Sequence, residues 1–129
     1  MTDRPDIRAL LVDDEPDIRM VMRLAIETEH AGVCVVGEAE DGIQAVAAVD
    51  DLSPEVVVID VRMPHLDGMQ AAARILEHRP QPTVILCTAY IDLDLEREAA
   101  ELGVSACVSK TDLFDIPTVI RRVTPPLVN

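Results

Sequence analysis

Apolar residues along this chain fall into two alternating patterns. Short unbroken runs such as Ala9-Leu10-Leu11-Val12, Val56-Val57-Val58-Ile59, Val84-Ile85-Leu86-Cys87 and Ala106-Cys107-Val108-Ser109 read as strands buried on both faces. Between them lie segments whose apolar residues recur at helical spacing, as Ile18, Val21, Met22, Ala25 and Ile26 do. The alternation repeats five times, the mark of βαβ units and a parallel sheet. Strands are expected near 7–12, 33–37, 55–60, 83–88 and 105–109, and helices near 16–29, 41–51, 67–78, 92–102 and 112–123.

Start and stop signals agree with this layout. Pro16 suits a first helical turn, where its missing N–H costs little. Asp41 and Asp112 are candidate N-caps, and Gly32 and Gly103 are candidate helix stops. Pro80 and Pro82 bracket the turn into the fourth strand. Pro117 falls inside the last expected helix and should delay its start.

Polar residues close four of the apolar runs: the pair Asp13-Asp14, then Asp60, Thr88 and Lys110. Ligands of parallel α/β sheets bind outside the carboxyl ends of the strands, so these groups should converge on one edge. Carboxylates crowded together raise one another's pKa unless a cation neutralises them. Hard oxygen donors with a hydroxyl and an ammonium beside them suit Mg²⁺ and a phosphoryl group. Asp60 after a run of apolar residues is hard to explain by solvation alone. Asp13-Asp14 has a plainer reading as a helix cap, with Asp14 or Glu15 before Pro16, and the two roles are compatible. Lys110 is the only lysine beside ten arginines, which singles out a position needing a compact, rotatable charge.

Composition narrows the choice further. The chain has 129 residues, enough for one domain with a real core. With one Phe, one Tyr and no Trp, that core must be built from Val, Ile, Leu and Ala. A net charge of −13 argues against nucleic acid as a direct partner and against anionic membrane surfaces. The N-terminus is polar and no apolar run is long enough to span a bilayer, so a cytoplasmic protein is expected. Cys34, Cys87 and Cys107 all lie in apolar strand runs and read as buried reduced thiols. His30, His65 and His78 read as surface or loop residues, and the acidic run Asp92, Asp94, Glu96, Glu98, Glu101 reads as a solvated helix face.

These motifs together resemble the receiver domain of two-component response regulators. The matching residues are Leu11-Val12-Asp13-Asp14-Glu15, Asp60-Val61-Arg62-Met63-Pro64-His65-Leu66-Asp67-Gly68, Thr88-Ala89 and Val108-Ser109-Lys110. The spacing fits from about Ile7 to about Val123, and the D-x-R-M-P-x-x-D-G form most resembles regulators linked to a LuxR-like helix-turn-helix. The resemblance implies a flavodoxin-like (βα)5 fold with strand order 2-1-3-4-5, covering residues 1–124, with 125–129 as a tail or linker stub. It implies Asp60 as phosphoacceptor, and Asp13, Asp14, Asp60 and the backbone carbonyl of Arg62 as holders of Mg²⁺. Thr88, Ala89 and Lys110 would bind the phosphoryl group. A histidine kinase would donate it, and a separate output protein or a linked DNA-binding domain would read it. The chain would not be an enzyme beyond accepting phosphoryl groups from small donors and losing them again.

Two departures stand out. The aromatic residue usual three positions before the lysine is here Cys107, so Tyr90, the only tyrosine, is expected to modulate the switch by covering the site. The proline usual after the lysine is here Thr111, as in many LuxR-linked receivers. Two other classes share the fold or the nucleophile. An aspartate-nucleophile phosphatase of the haloacid dehalogenase type needs a second Asp where this chain has Arg62. A flavodoxin-like cofactor binder needs a Ser-, Thr- and Gly-rich phosphate loop, whereas Asp13-Asp14-Glu15-Pro16-Asp17 repels phosphate without a metal.

Overall fold

A computed structural model describes residues 6–29, 32–63 and 65–125. Strands β1 (Ile7–Val12), β2 (Val33–Ala39), β3 (Val56–Asp60), β4 (Thr83–Thr88) and β5 (Ala106–Ser109) alternate with helices α1 (Pro16–Glu29), α2 (Gly42–Leu52), α3 (Gly68–Ile75), α4 (Leu93–Leu102) and α5 (Ile116–Val123). All pairings are parallel, in the order β2-β1-β3-β4-β5. This is the expected flavodoxin-like order. His30, Pro64 and the segment beyond Pro125 lie outside the described residues.

Period-two alternation along each buried strand feeds two cores. Ala9, Leu11, Val56, Val58, Ile85 and Val108 face α1 and α5, where Met22, Ile26, Ile116 and Ile120 meet them. Leu10, Val12, Val57, Ile59, Val84 and Leu86 face the other side, under Ala45, Val49, Ala71, Ala72, Ile75 and Ala99. Both faces of the central strands are therefore apolar, as the unbroken runs require. In β2 the register with β1 slips after Ala9, pairing Leu10 with Gly37 and leaving Val36 as an extra residue. That strand runs to Ala39, two residues beyond its expected end.

Helix ends differ from expectation where the last turn tightens. Asp41 and Asp92 cap α2 and α4, accepting from Gln44 N and Leu95 N at 2.8 Å each. Gly103 ends α4 at φ 106°. Helix α3 stops at Ile75, because Glu77 N and His78 N turn to the carbonyls of Arg74 and Ile75 in i→i+3 fashion. Asp112 is not an N-cap. A 3₁₀ segment spans Lys110–Asp115, opened by Ser109 Oγ accepting from Thr111 N at 3.2 Å, and α5 begins only at Ile116 with Pro117 in its first turn. Cys87 is buried, but Cys34 and Cys107 are half-buried because β2 and β5 are the edge strands. All three thiols are free. His78 is half-buried, its Nδ1 3.2 Å from the Pro80 carbonyl, whereas His65 is largely exposed beside Asp41.

Candidate functional site

The carboxyl ends of β1, β3, β4 and β5 deliver Asp13, Asp60, Thr88 and Lys110 to one edge of the sheet. Asp13 follows β1 directly and is wholly buried. Its Oδ1 accepts from Glu15 N at 2.8 Å. Its Oδ2 lies 3.1 Å from Lys110 Nζ yet takes part in no hydrogen bond of acceptable geometry, so charge alone holds it. Asp60 ends β3 and is 3 % exposed. Its Oδ1 accepts from Arg62 N at 3.3 Å and its Oδ2 pairs with Lys110 Nζ at 3.2 Å. One ammonium thus serves two buried carboxylates.

The electrostatic balance is short of positive charge. Burial pushes the Asp13 carboxyl above its ordinary range, more than the Glu15 amide and Lys110 pull it down. Asp60 is likewise raised, by burial first and by Asp13 second. Burial opposes the Lys110 charge, but the adjacent Asp13 and Asp60 carboxylates outweigh it and hold the ammonium above its usual value. Carboxylate oxygens of Asp13, Asp14 and Glu15 can all lie within 4.8 Å of one another. Hard oxygens in this number, with a buried Oδ2 lacking a hydrogen bond, fit Mg²⁺.

The chain folds this way locally because glycines let the loops close over the strand ends. A Cβ at Gly68 would overlap the Asp60 carbonyl oxygen, and one at Gly42 would overlap that of Leu66. Gly68 N also donates to Val61 O at 2.8 Å, and a capping box between Asp67 and Gln70 starts α3 beside it. The loop after Asp60 is pinned at both ends.

Asp14, Asp60, Arg62, Thr88, Ala89, Tyr90 and Lys110 line one cleft. Asp13 does not line it but sits behind, against Lys110. Thr88 is buried, and at the limit of bonding distance its Oγ1 accepts from Tyr90 N (3.5 Å) and donates to Tyr90 O (3.4 Å). Tyr90 stands at the mouth, 75 % exposed, and Arg62 is exposed on the rim. Cys107 is not among the lining residues. It packs with the apolar cluster under α3 and α4, its thiol raised by burial first and Glu96 second. Four lining residues are not among the functional residues expected from sequence: Glu15, Val61, Asp92 and Leu95. Glu15 adjoins Asp13-Asp14 in one acidic run, and that adjacency was the available signal. Asp92 and Leu95 reach the cleft only because α4 starts there.

A profile of the response regulator receiver domain matches residues 9–121. Among curated proteins, a protein-glutamate methylesterase/protein-glutamine glutaminase of Halobacterium salinarum is 44% identical over 98 residues, covering 74% of this chain and 27% of that protein. The positive alginate biosynthesis regulatory protein of Pseudomonas aeruginosa is 38% identical over 90 residues, covering 70% of this chain and 36% of that protein. The chain therefore spans between a quarter and two-fifths of the length of these relatives. Among solved structures, a LuxR-family two-component response regulator from Aurantimonas sp. SI85-9A1 superposes with a TM-score of 0.85 at 28% identity, over 92% of this chain and 85% of that one.

Proposed function

Since the chain belongs to the response regulator receiver domain family, we propose that it is a phosphorylation-controlled switch with Asp60 as the acceptor. The observation that carries this reading is a buried Asp60 carboxylate paired at 3.2 Å with Lys110, in a chain with no other lysine. An Asp60 oxygen attacks the phosphorus of a phosphohistidine on a sensor kinase. The P–N bond breaks, its electron pair returns to the imidazole, which takes up a proton, and an acyl phosphate forms. Lys110 then turns from Asp13 to a phosphoryl oxygen, and Thr88 donates its hydroxyl to another. Each such charged hydrogen bond is worth about 1.5–3 kcal/mol and exists only in the phosphorylated form, which lets it bias two backbone states.

Asp13, Asp14, Asp60 and the Arg62 carbonyl would hold Mg²⁺, which when bound neutralises charge on the phosphoryl oxygens. Cys107 packs away from the cleft, so a relay from Thr88 through an aromatic side chain at that position would be absent or altered. The chemistry stops at phosphoryl acceptance and self-hydrolysis. Residues 1–124 would act as the receiver unit. The chain spans only 27–36% of the length of these relatives, and the reader of the phosphorylated form is either a separate protein or a linked output domain. Cytoplasmic placement follows from a histidine kinase donor, and no described helix is long and apolar enough to cross a membrane.

Mass spectrometry after incubation with acetyl phosphate and MgCl₂ tests the reading. One phosphoryl group on the wild-type chain and none on Asp60→Asn is expected. Labelling of Asp60→Asn at the wild-type rate would overturn it.

A further inference from the structure

Glu15 has no part in the scheme above, although its side chain enters the same cleft. We propose that Glu15 is a third acidic arm of the divalent-cation site, reaching the ion through a bound water and tightening its binding. The inference rests on the metal reading of Asp13, Asp14 and Asp60 and adds a residue to it.

The backbone of Glu15 is fixed. Its amide donates to Asp13 Oδ1 at 2.8 Å, and its carbonyl receives Ile18 N and Arg19 N at 3.1 and 3.2 Å as α1 begins. The side chain, by contrast, is 62% exposed and makes one long approach, 3.7 Å from Lys110 Nζ. It is a tethered carboxylate at the mouth of a site whose inner carboxylates are buried. Two further observations point inward to a cation. The Asp13 Oδ2 atom is inaccessible to solvent and accepts no hydrogen bond, with only an ion pair to Lys110. Oxygens of Asp13, Asp14 and Glu15 share an envelope of 4.8 Å.

Oxygens on opposite sides of Mg²⁺ are about 4.2 Å apart, given bonds of about 2.1 Å. The oxygens of Asp13, Asp14 and Glu15 lie within 4.8 Å of one another, a spread that one ion can bridge directly or through the waters that Mg²⁺ keeps. Asp14 and Asp60 line the cleft with Asp13 behind them, and the longer arm of Glu15 at the mouth takes one of the ion's waters. Reaching for that water also draws Glu15 away from Lys110, leaving the ammonium one competitor fewer.

The test is calorimetric titration with MgCl₂ at fixed ionic strength, on the intact chain without any phosphoryl donor. Glu15→Gln should raise the Mg²⁺ Kd about tenfold, the low end of what losing an outer-shell partner costs. Asp17→Asn removes the same charge from the exposed first turn of α1 and should leave Kd within about twofold, because an exposed charge outside the cluster is screened. Equal weakening by both variants would mean that Glu15 acts as bulk charge, and would overturn the inference. So would a Glu15→Gln protein that binds like wild type while Asp14→Asn loses affinity. If the wild-type chain takes up no Mg²⁺, the metal reading falls and the inference with it.

Discussion

Helices α4 and α5 both lean against β5, yet they are held in opposite ways. Of the eight residues of α5, four are buried: Ile116, Pro117, Val119 and Ile120. Of the ten in α4, only Ala99 is. Leu95 and Leu102 are half-buried, and the rest of α4 is a solvated acidic face with Leu93 77% exposed. Burying a full Leu or Ile side chain is worth about 1.5–3 kcal/mol, whereas an alanine offers a fraction of that. A charged hydrogen bond to a phosphoryl group supplies about the same amount as one such side chain. It can therefore shift α4 and cannot dislodge α5. Helix α4 also starts a few residues after Thr88, so the loosely held element is the one wired to the proposed chemistry.

The largest effect expected is at the base of α5. Ile120→Ala should cost about 2–5 kcal/mol of unfolding free energy in urea, since Ile120 is fully buried among Met22, Ile85 and Ile116. Leu95→Ala in α4 should cost less than about 1.5 kcal/mol, because part of that side chain already faces water. Equal losses would break the comparison.

A second effect runs the other way and concerns the charged edge to which both helices attach. Asp60→Asn removes one of two buried carboxylates that share a single ammonium. In metal-free protein it should raise stability by about 0.5–2 kcal/mol, the usual gain when strain at a functional site is relieved. The gain should shrink when MgCl₂ is added, since the ion stabilises only the protein that keeps the carboxylate. Destabilisation by Asp60→Asn in metal-free buffer would show that Lys110 alone balances both charges.

Most of this contrast could be read from the chain, because it follows from where apolar residues fall. The strand runs give the two-sided core, and a polar residue closing each run marks the carboxyl edge. Asp41 and Gly103 sit where their backbone chemistry requires. The start of α5 was less legible. Asp112 is a good cap by type, but Ser109 takes the Thr111 amide first and diverts the chain into a 3₁₀ turn. The end of α3 depends on i→i+3 bonding that no residue type announces. Glu15 was hidden by its neighbours: an acid beside Pro16 reads as a cap, and only its approach to Lys110 reveals a second use. The half-burial of Cys34 and Cys107 depends on strand order, which periodicity does not contain.

A third effect sharpens the α4 side of the comparison. Arg62 and Tyr90 both line the cleft and are exposed, and on a phosphorylated Asp60 they would stand beside the path of an attacking water. A shielded site slows such attack. Tyr90→Ala and Arg62→Ala should each speed loss of the phosphoryl group about two- to tenfold, at most about 1.4 kcal/mol in the barrier. The decay of intact phosphoprotein by mass spectrometry measures this. Unchanged lifetimes in both single variants and the double variant would mean that both side chains remain in solvent.

The smallest effect lies farthest from α4, where α1 is clamped to β2. Glu38 Oε2 meets Arg23 Nη2 at 2.7 Å and Oε1 meets Arg19 Nε at 2.9 Å. The hydrogen bond from Arg23 outweighs the opposing effect of burial, and with Arg19 it holds the Glu38 carboxyl below its ordinary value of 4.5. A carboxylate depressed in the folded state binds its proton more tightly when unfolded. Its contribution is therefore complete above about pH 4.5 and disappears as pH falls through the lower folded value. Both partners are about a third exposed, with side-chain accessibilities of 38% and 33%, so solvent screens most of the attraction. Glu38→Gln should cost less than about 1 kcal/mol at pH 7 in low salt, and less again in 0.5 M salt at about a third of the Debye length of dilute buffer. Urea unfolding of wild type and variant across the acid range measures the difference. It should close as pH drops, leaving α1 held by its apolar face, where Met22, Ala25 and Ile26 are buried. A difference that stays constant from pH 7 into the acid range would mean that Glu38 acts by packing against β2 rather than by charge.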